Sequence, residues 1–126
     1  MIRHIESGKG WRIGWNPSAE AFCGLLAGEH WAIELTADEL NDFCHSVRQL
    51  DDMMQSMAIA LMDEENLTCE QETSTIWVEA DGFPAEYSLR FILLSGRKGE
   101  GAWPAEVVNE LVSALIKDPF CNLGHC

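Results

Sequence analysis

Apolar positions change their spacing twice along the chain. In "WRIGW" they recur at every second residue, which points Trp11, Ile13 and Trp15 to one side of a strand and Arg12 and Gly14 to the other. The aromatic side is read as a core-packing face. Asn16-Pro17-Ser18 stops the strand as a turn cluster. "AFCGLLAG" (21–28) is a second short apolar run closed by Gly28, and "HWAIELT" (30–36) alternates again through Trp31, Ile33 and Leu35. From Thr36 the spacing becomes helical. Leu40, Phe43, Cys44, Val47, Leu50, Met54, Met57 and Leu61 form one stripe, and Thr36 with Glu39 makes a capping box, with Asp38 adding charge to the first turn. A helix of roughly 26 residues would be about 39 Å long. That length predicts a helix that crosses a whole sheet or projects to meet a second subunit.

Strand spacing then returns. "LTCEQET" (67–73) reads as a polar edge, "STIWVEA" (74–80) as a strand closed by an Asp81-Gly82 turn, and "EYSLRFILLSG" (86–96) as a central strand. The glycine-rich "GRKGEG" (96–101) leads to a second helix. Pro104 suits its first turn, Val107, Val108, Leu111, Val112, Leu115 and Ile116 make its stripe, and Asp118-Pro119 stops it. An ungapped offset of 68 lays Gly14 over Gly82, Leu25 over Leu93, Leu26 over Leu94, Gly28 over Gly96 and Asn41 over Asn109, and brings Gly82-Phe83 under Gly14-Trp15. Residues 1–117 are therefore expected to form one α+β domain: antiparallel β-sheet and two helices, in two strands-then-helix units over about 8–62 and 66–117. Residues 118–126 read as a loose tail.

Charge narrows the function. Eight Lys and Arg face 21 Asp and Glu among 126 residues, a net −13. Such a chain repels phosphate, which makes nucleic acid and anionic membranes poor partners unless a local basic patch intervenes. No run approaches the ~20 apolar residues of a membrane span, and the N-terminus lacks the apolar core of a secretion signal. Five cysteines with no C-x-x-C predict reduced thiols and a cytoplasmic protein, with Cys44 an inert core thiol.

Chemistry-bearing motifs are sparse. Cys121, His125 and Cys126 crowd the tail at poor spacing for zinc, and the acidic stretch 63–72 lacks the loop of a calcium site. Arg97 and Lys98 sit in a loop whose glycines match no phosphate-binding spacing. Cys44 and His45 are helix neighbours that cannot face one another, and no nucleophile elbow or zinc-protease motif is present. A non-enzymatic protein without metal or cofactor is expected. Two functional readings follow. The first is a cytoplasmic interaction or regulatory protein, a homodimer or the binder of another protein, using Met53, Met54, Met57 and Met62 of the long helix or an exposed sheet face. The alternative is single-stranded nucleic-acid binding by sheet aromatics such as Trp77 with Arg12, Arg90, Arg97 and Lys98. The sign of charge on the exposed sheet face discriminates between them.

The stretches "GWRIGWNPSAEAFCGLLAG", "WAIELTADELNDFC", "LMDEE" and "YSLRFILLSGRKGEGAWPAEVV" resemble a small cyanobacterial family, the domain of unknown function numbered eighteen-eighteen, over roughly residues 2–116. The resemblance implies a fold grouped with the single-stranded-DNA-binding, Whirly-like regulator domains. Those pair two copies of a unit of four strands and a helix. It implies no catalytic residue, and the lysine- and glycine-rich DNA-binding motif of the Whirly proteins has no match in this chain.

Overall fold

Among the residues described by the computed structural model, 3–60 and 65–117, eight strands and two helices follow in the order of two similar units. The first unit is β1 (His4–Gly8), β2 (Trp11–Trp15), β3 (Gly24–Ala27), β4 (Ala32–Leu35) and α1 (Ala37–Ala60). The second is β5 (Leu67–Glu72), β6 (Ile76–Phe83), β7 (Glu86–Leu93), β8 (Glu100–Trp103) and α2 (Ala105–Lys117). Each set of four strands is an antiparallel meander in its own sheet, paired in chain order. The α+β class and the strands-then-helix units stand as expected. Met62, Leu61 and the Cys121/His125/Cys126 tail lie outside the described residues.

Both helices rest on the inner face of the second sheet, α1 over β5 and β6 and α2 over β7. The first sheet closes on them from its own side, with β3 and β4 against α1 and β1 and β2 against α2. One continuous core results. It holds Trp11, Ile13, Trp15 and Leu26 of the first sheet, Val78, Phe91 and Trp103 of the second, and the stripes of both helices. Trp31 wedges between the sheets. Its ring meets Trp103 and Phe91, and its indole N–H donates to the Ala102 carbonyl at 3.2 Å, while Trp103 donates back to the Ala27 carbonyl at 3.0 Å. Corresponding helix positions also carry carboxylates that grip the opposite unit. Asp42 accepts from Thr73 and Thr75 beside the β5–β6 hairpin (3.2 and 2.6 Å), and Glu110 accepts from the Trp11 indole at 2.8 Å.

Three sequence expectations are corrected. Strands β1 and β8 are additional: "HIESG" and "EGAW" carry too few large apolar side chains for alternation to reveal them. Asp81 and Gly82 do not turn the chain but continue β6, and the reversal comes at Pro84-Ala85, between the paired Phe83 and Glu86. Gly82 holds φ at +145°, and a Cβ there would lie 2.8 Å from the Glu86 carbonyl oxygen and the Tyr87 Cα. Finally, the offset of 68 fits β4, β8 and the helices but not the earlier strands. The ladder pair Ile13–Leu26 corresponds to Val78–Phe91, an offset of 65. Trp15 thus corresponds to Ala80 rather than to Phe83, which is exposed. The reason is the β7–β8 connection. Ile92 and Glu100 are the last cross-strand pair there, against Ala27 and Ala32 in the first unit, so the second loop is three residues longer.

That longer loop carries Ser95 and Arg97, which close on α1. The capping box forms as expected, with the Thr36 amide donating to Glu39 Oε1 at 2.9 Å and the Glu39 amide to Thr36 Oγ1 at 3.2 Å. The same buried carboxylate accepts from Ser95 Oγ and from Arg97, whose Nη2 also donates to the Glu34 carbonyl at 2.7 Å. Burial pushes the Glu39 carboxyl up, but the hydrogen bonds from Arg97, Ser95 and the Thr36 amide, with the Arg97 charge, outweigh it and leave it below the ordinary glutamate range. Cys23 and Cys44 are buried and each disulfide-bonded, which corrects the expectation of reduced thiols and of a Cys44 thiol. Linear spacing gives no hint of which sulfurs the fold brings together. Cys69 is free and buried, and burial raises its thiol pKa.

Because a carboxylate with a depressed folded pKa stabilises above its unfolded pKa and loses that effect as pH falls through the folded value, the Glu39 contact is complete near neutrality and fades in acid. Removing its cation strands a buried charge. Arg97→Ala is expected to lower stability by about 3 kcal/mol at neutral pH, and by less at a pH low enough to protonate Glu39. Exposed Lys98→Ala should stay within about 0.5 kcal/mol. Urea unfolding at both pH values measures this.

Candidate protein-docking face on the second sheet

Alternation along β6 buries Ile76, Val78 and Ala80 and turns Trp77, Glu79, Asp81 and Phe83 outward. Cross-strand register then fixes their neighbours. Trp77 lies between Glu72 of β5 and Ile92 of β7, and Glu79 lies between Glu70 and Arg90. Glu86 and Glu100 complete the outer face through Phe83 and Ile92. Four carboxylates, Glu70, Glu72, Glu79 and Glu100, therefore flank Trp77 and Ile92, Asp81 and Glu86 lie toward the Phe83 end of the same face, and Arg90 is the one cation among them. The face is aromatic and acidic.

Two of its features are unusual for a sheet surface. Glu70 and Glu79 stand directly opposite one another, a like-charge pair that costs stability. Asp81 is tied down by Thr68 Oγ1 at 2.6 Å and Asn66 Nδ2 at 3.3 Å, whereas Glu70 and Glu72 make no bond among the described residues. Arg90 meanwhile lies over the Trp77 ring, 4.8 Å from its centroid, with Nη2 3.5 Å from Glu79 Oε1. The guanidinium is thus both stacked and paired.

The residues singled out by sequence are scattered by the fold. Trp77 and Arg90 meet on this face, but Arg12 projects from the outer face of the first sheet, where β2 alternates in the opposite sense to its buried tryptophans. Arg97 is committed to Glu39 and Glu34 and covers the Phe22 ring at 4.7 Å. Lys98 is exposed in the same loop. The proposed basic patch is therefore not a single surface. On the helix, Met54 is fully buried and fills core, while Met53 and Met57 are exposed. Met53 Sδ accepts from Gln71 of β5 at 3.4 Å. Burial withdraws Met54 from the helix surface. What sequence reasoning missed was the clustering of carboxylates. Glu70, Glu72 and Glu79 were visible as individual acidic residues, but only the ladder register shows them converging on Trp77.

A groove of about 460 Å³ runs between the β1–β2 turn and the start of α2, lined by Lys9, Trp11, Glu29, Glu106 and Glu110 among others. Its best-placed acceptor, Glu110, is already taken by the Trp11 indole. No group of three or more His, Cys, Asp or Glu side chains is arranged to hold a metal among the described residues, and no described helix is long and apolar enough to cross a membrane.

Two four-stranded meanders, each ending in a helix and sharing one core, define an α+β two-sheet domain. The chain belongs to the family described as a domain of unknown function (DUF1818), which matches residues 6–117. It is also similar, at 32% identity and a TM-score of 0.85, to the crystal structure of a protein with unknown function from the DUF155 family of Prochlorococcus sp. NATL2A. That match covers 92% of this chain and 98% of the other. No curated protein matches.

The face is built on the sheet rather than in the core, so its side chains can be altered without loss of fold. Trp77→Leu should shift stability by no more than about 1 kcal/mol, and Glu70→Gln should raise it by about 0.5 kcal/mol by removing the cross-strand repulsion. Trp103→Leu, at 1% exposure, should cost about 3 kcal/mol. Urea midpoints of the three variants report the contrast.

Proposed function

We propose that this protein is a non-enzymatic interaction module that docks a basic segment of a partner protein on the outer face of its second sheet. The observation that carries this reading is the cluster of Glu70, Glu72, Glu79 and Glu100 flanking half-exposed Trp77 and Ile92 on one face, with Asp81 and Glu86 farther along it. Tryptophan at the centre of a polar surface is the composition of an interface hot spot. The surrounding charge supplies complementarity and steering toward a cationic partner, and the net −13 extends that field beyond the face. Exposed Leu94, just past β7, adds apolar surface beyond Ile92, and exposed Phe83 stands at the other end of β6, past Glu79 and Asp81. Single-stranded nucleic acid fits this surface poorly, because phosphates would meet carboxylates at every strand.

The test uses the whole protein, a labelled eight-residue peptide of alternating Arg and Gly, and a labelled fifteen-residue oligothymidine. The peptide should bind in 50 mM salt and weaken by about tenfold in 300 mM, and the oligonucleotide should not bind. The triple variant Glu70→Gln, Glu72→Gln, Glu79→Gln should lose most of the binding. A variant of equal net charge, Glu20→Gln, Glu29→Gln, Glu106→Gln, should keep it. Equal loss in both variants, or tight oligonucleotide binding, overturns the reading.

A further inference from the structure

Arg90 shows what the face is built to hold. Its guanidinium lies over Trp77 with its centre 4.8 Å from the ring centroid, and one of its nitrogens stands 3.5 Å from Glu79. Flat stacking and a carboxylate at the edge are together the requirements of an arginine site. A lysine ammonium, compact and strongly hydrated, satisfies only the charge. The resident cation is half exposed, and its ion pair is longer than a close contact. It is held loosely enough to be replaced.

The neighbouring carboxylates exceed what Arg90 neutralises. Glu70 faces Glu79 directly across the β5–β6 ladder, and Glu72 faces Trp77. Side chains at such opposed positions have Cβ atoms about 5 Å apart, so one acid stands opposite Trp77 and two more face each other at the next outward position along the ladder. One guanidinium leaves this group with surplus negative charge. A planar cation brought to the exposed ring by a partner would relieve the Glu70–Glu79 repulsion.

We propose that the partner segment contributes an arginine whose guanidinium stacks on Trp77 between Glu70, Glu72 and Glu79, displacing Arg90 from the ring. This rests on the docking reading above and specifies its chemistry. Arg90 is then an internal competitor that sets a threshold: a weakly basic segment does not displace it, and an arginine in the correct register does.

Two peptides of equal length and charge separate this inference from the reading beneath it, one alternating Arg with Gly and one alternating Lys with Gly. Fluorescence anisotropy with the wild-type protein should show the arginine peptide binding about fivefold or more tighter. In Trp77→Leu the two should converge to within about twofold. Arg90→Ala, which removes the competitor without touching the proposed contacts, should strengthen arginine-peptide binding by about threefold. Equal affinities for the two peptides in the wild type would overturn the arginine assignment and leave the acidic docking face standing. Absence of binding by either peptide would overturn both. Weaker binding by Arg90→Ala would show that Arg90 supports the site, and would overturn displacement.

Discussion

Two helices cannot cover four sheet faces, and the arrangement of the molecule follows from how the two are used. Both lie on the inner face of the second sheet, so the first sheet must bury its own Trp11, Ile13 and Trp15 by coming up against their other sides. Each meander therefore keeps one face in water. The inner faces and the helix sides between them collect nearly all the large apolar residues, including the fully buried Phe43 of α1, Phe91 and Trp103. The outer faces are left to charge, small residues and a few exposed apolar side chains. A binding surface on this protein is thus a matter of which bare face carries side chains arranged for something other than solubility.

The two bare faces differ in kind. That of the first sheet carries Ile5, Gly14, Leu25 and Glu34 in one cross-strand row, with Arg12 exposed beside them. That of the second places acids opposite acids around a tryptophan. Scattered surface carboxylates would serve solubility equally well and would not need Glu70 facing Glu79, an arrangement that weakens the sheet. On the second sheet that cost sits next to a stacked guanidinium, on the same face as Trp77.

The helical stripe, the capping box, the buried alternation of β2 and the central place of β7 were all readable, because each depends on near neighbours in sequence and a strong apolar signal. The features that were hidden depend on pairing. Strands β1 and β8 acquire their identity from partners rather than from their own side chains, so composition alone passes them by. Met54 and Met57 share a helical stripe on paper, yet the first is fully buried and the second exposed, because the helix outruns the sheet that covers it. Arg97 reads as a loop cation until the fold presents the carboxylate of Glu39, fifty-eight residues away. The convergence of Glu70, Glu72 and Glu79 is likewise a property of register, and a shift of one residue would turn them inward.

The β7–β8 connection is three residues longer than the β3–β4 connection, and the location of that difference is informative. The shorter connection of the first unit, between β3 and β4, is anchored by Trp31 alone, whose indole reaches Ala102. The longer connection of the second carries Ser95 and Arg97 to the start of α1, where one buried carboxylate already closes the capping box. The insertion that breaks the internal symmetry is therefore also the link that locks the two units together. With α1 fixed at its N-terminus by that loop, and farther along by Tyr87 donating to Asp51 and Gln55 donating to the Pro84 carbonyl, the second sheet is held along its inner side. Its outer face can then carry unrelieved charge without loss of shape.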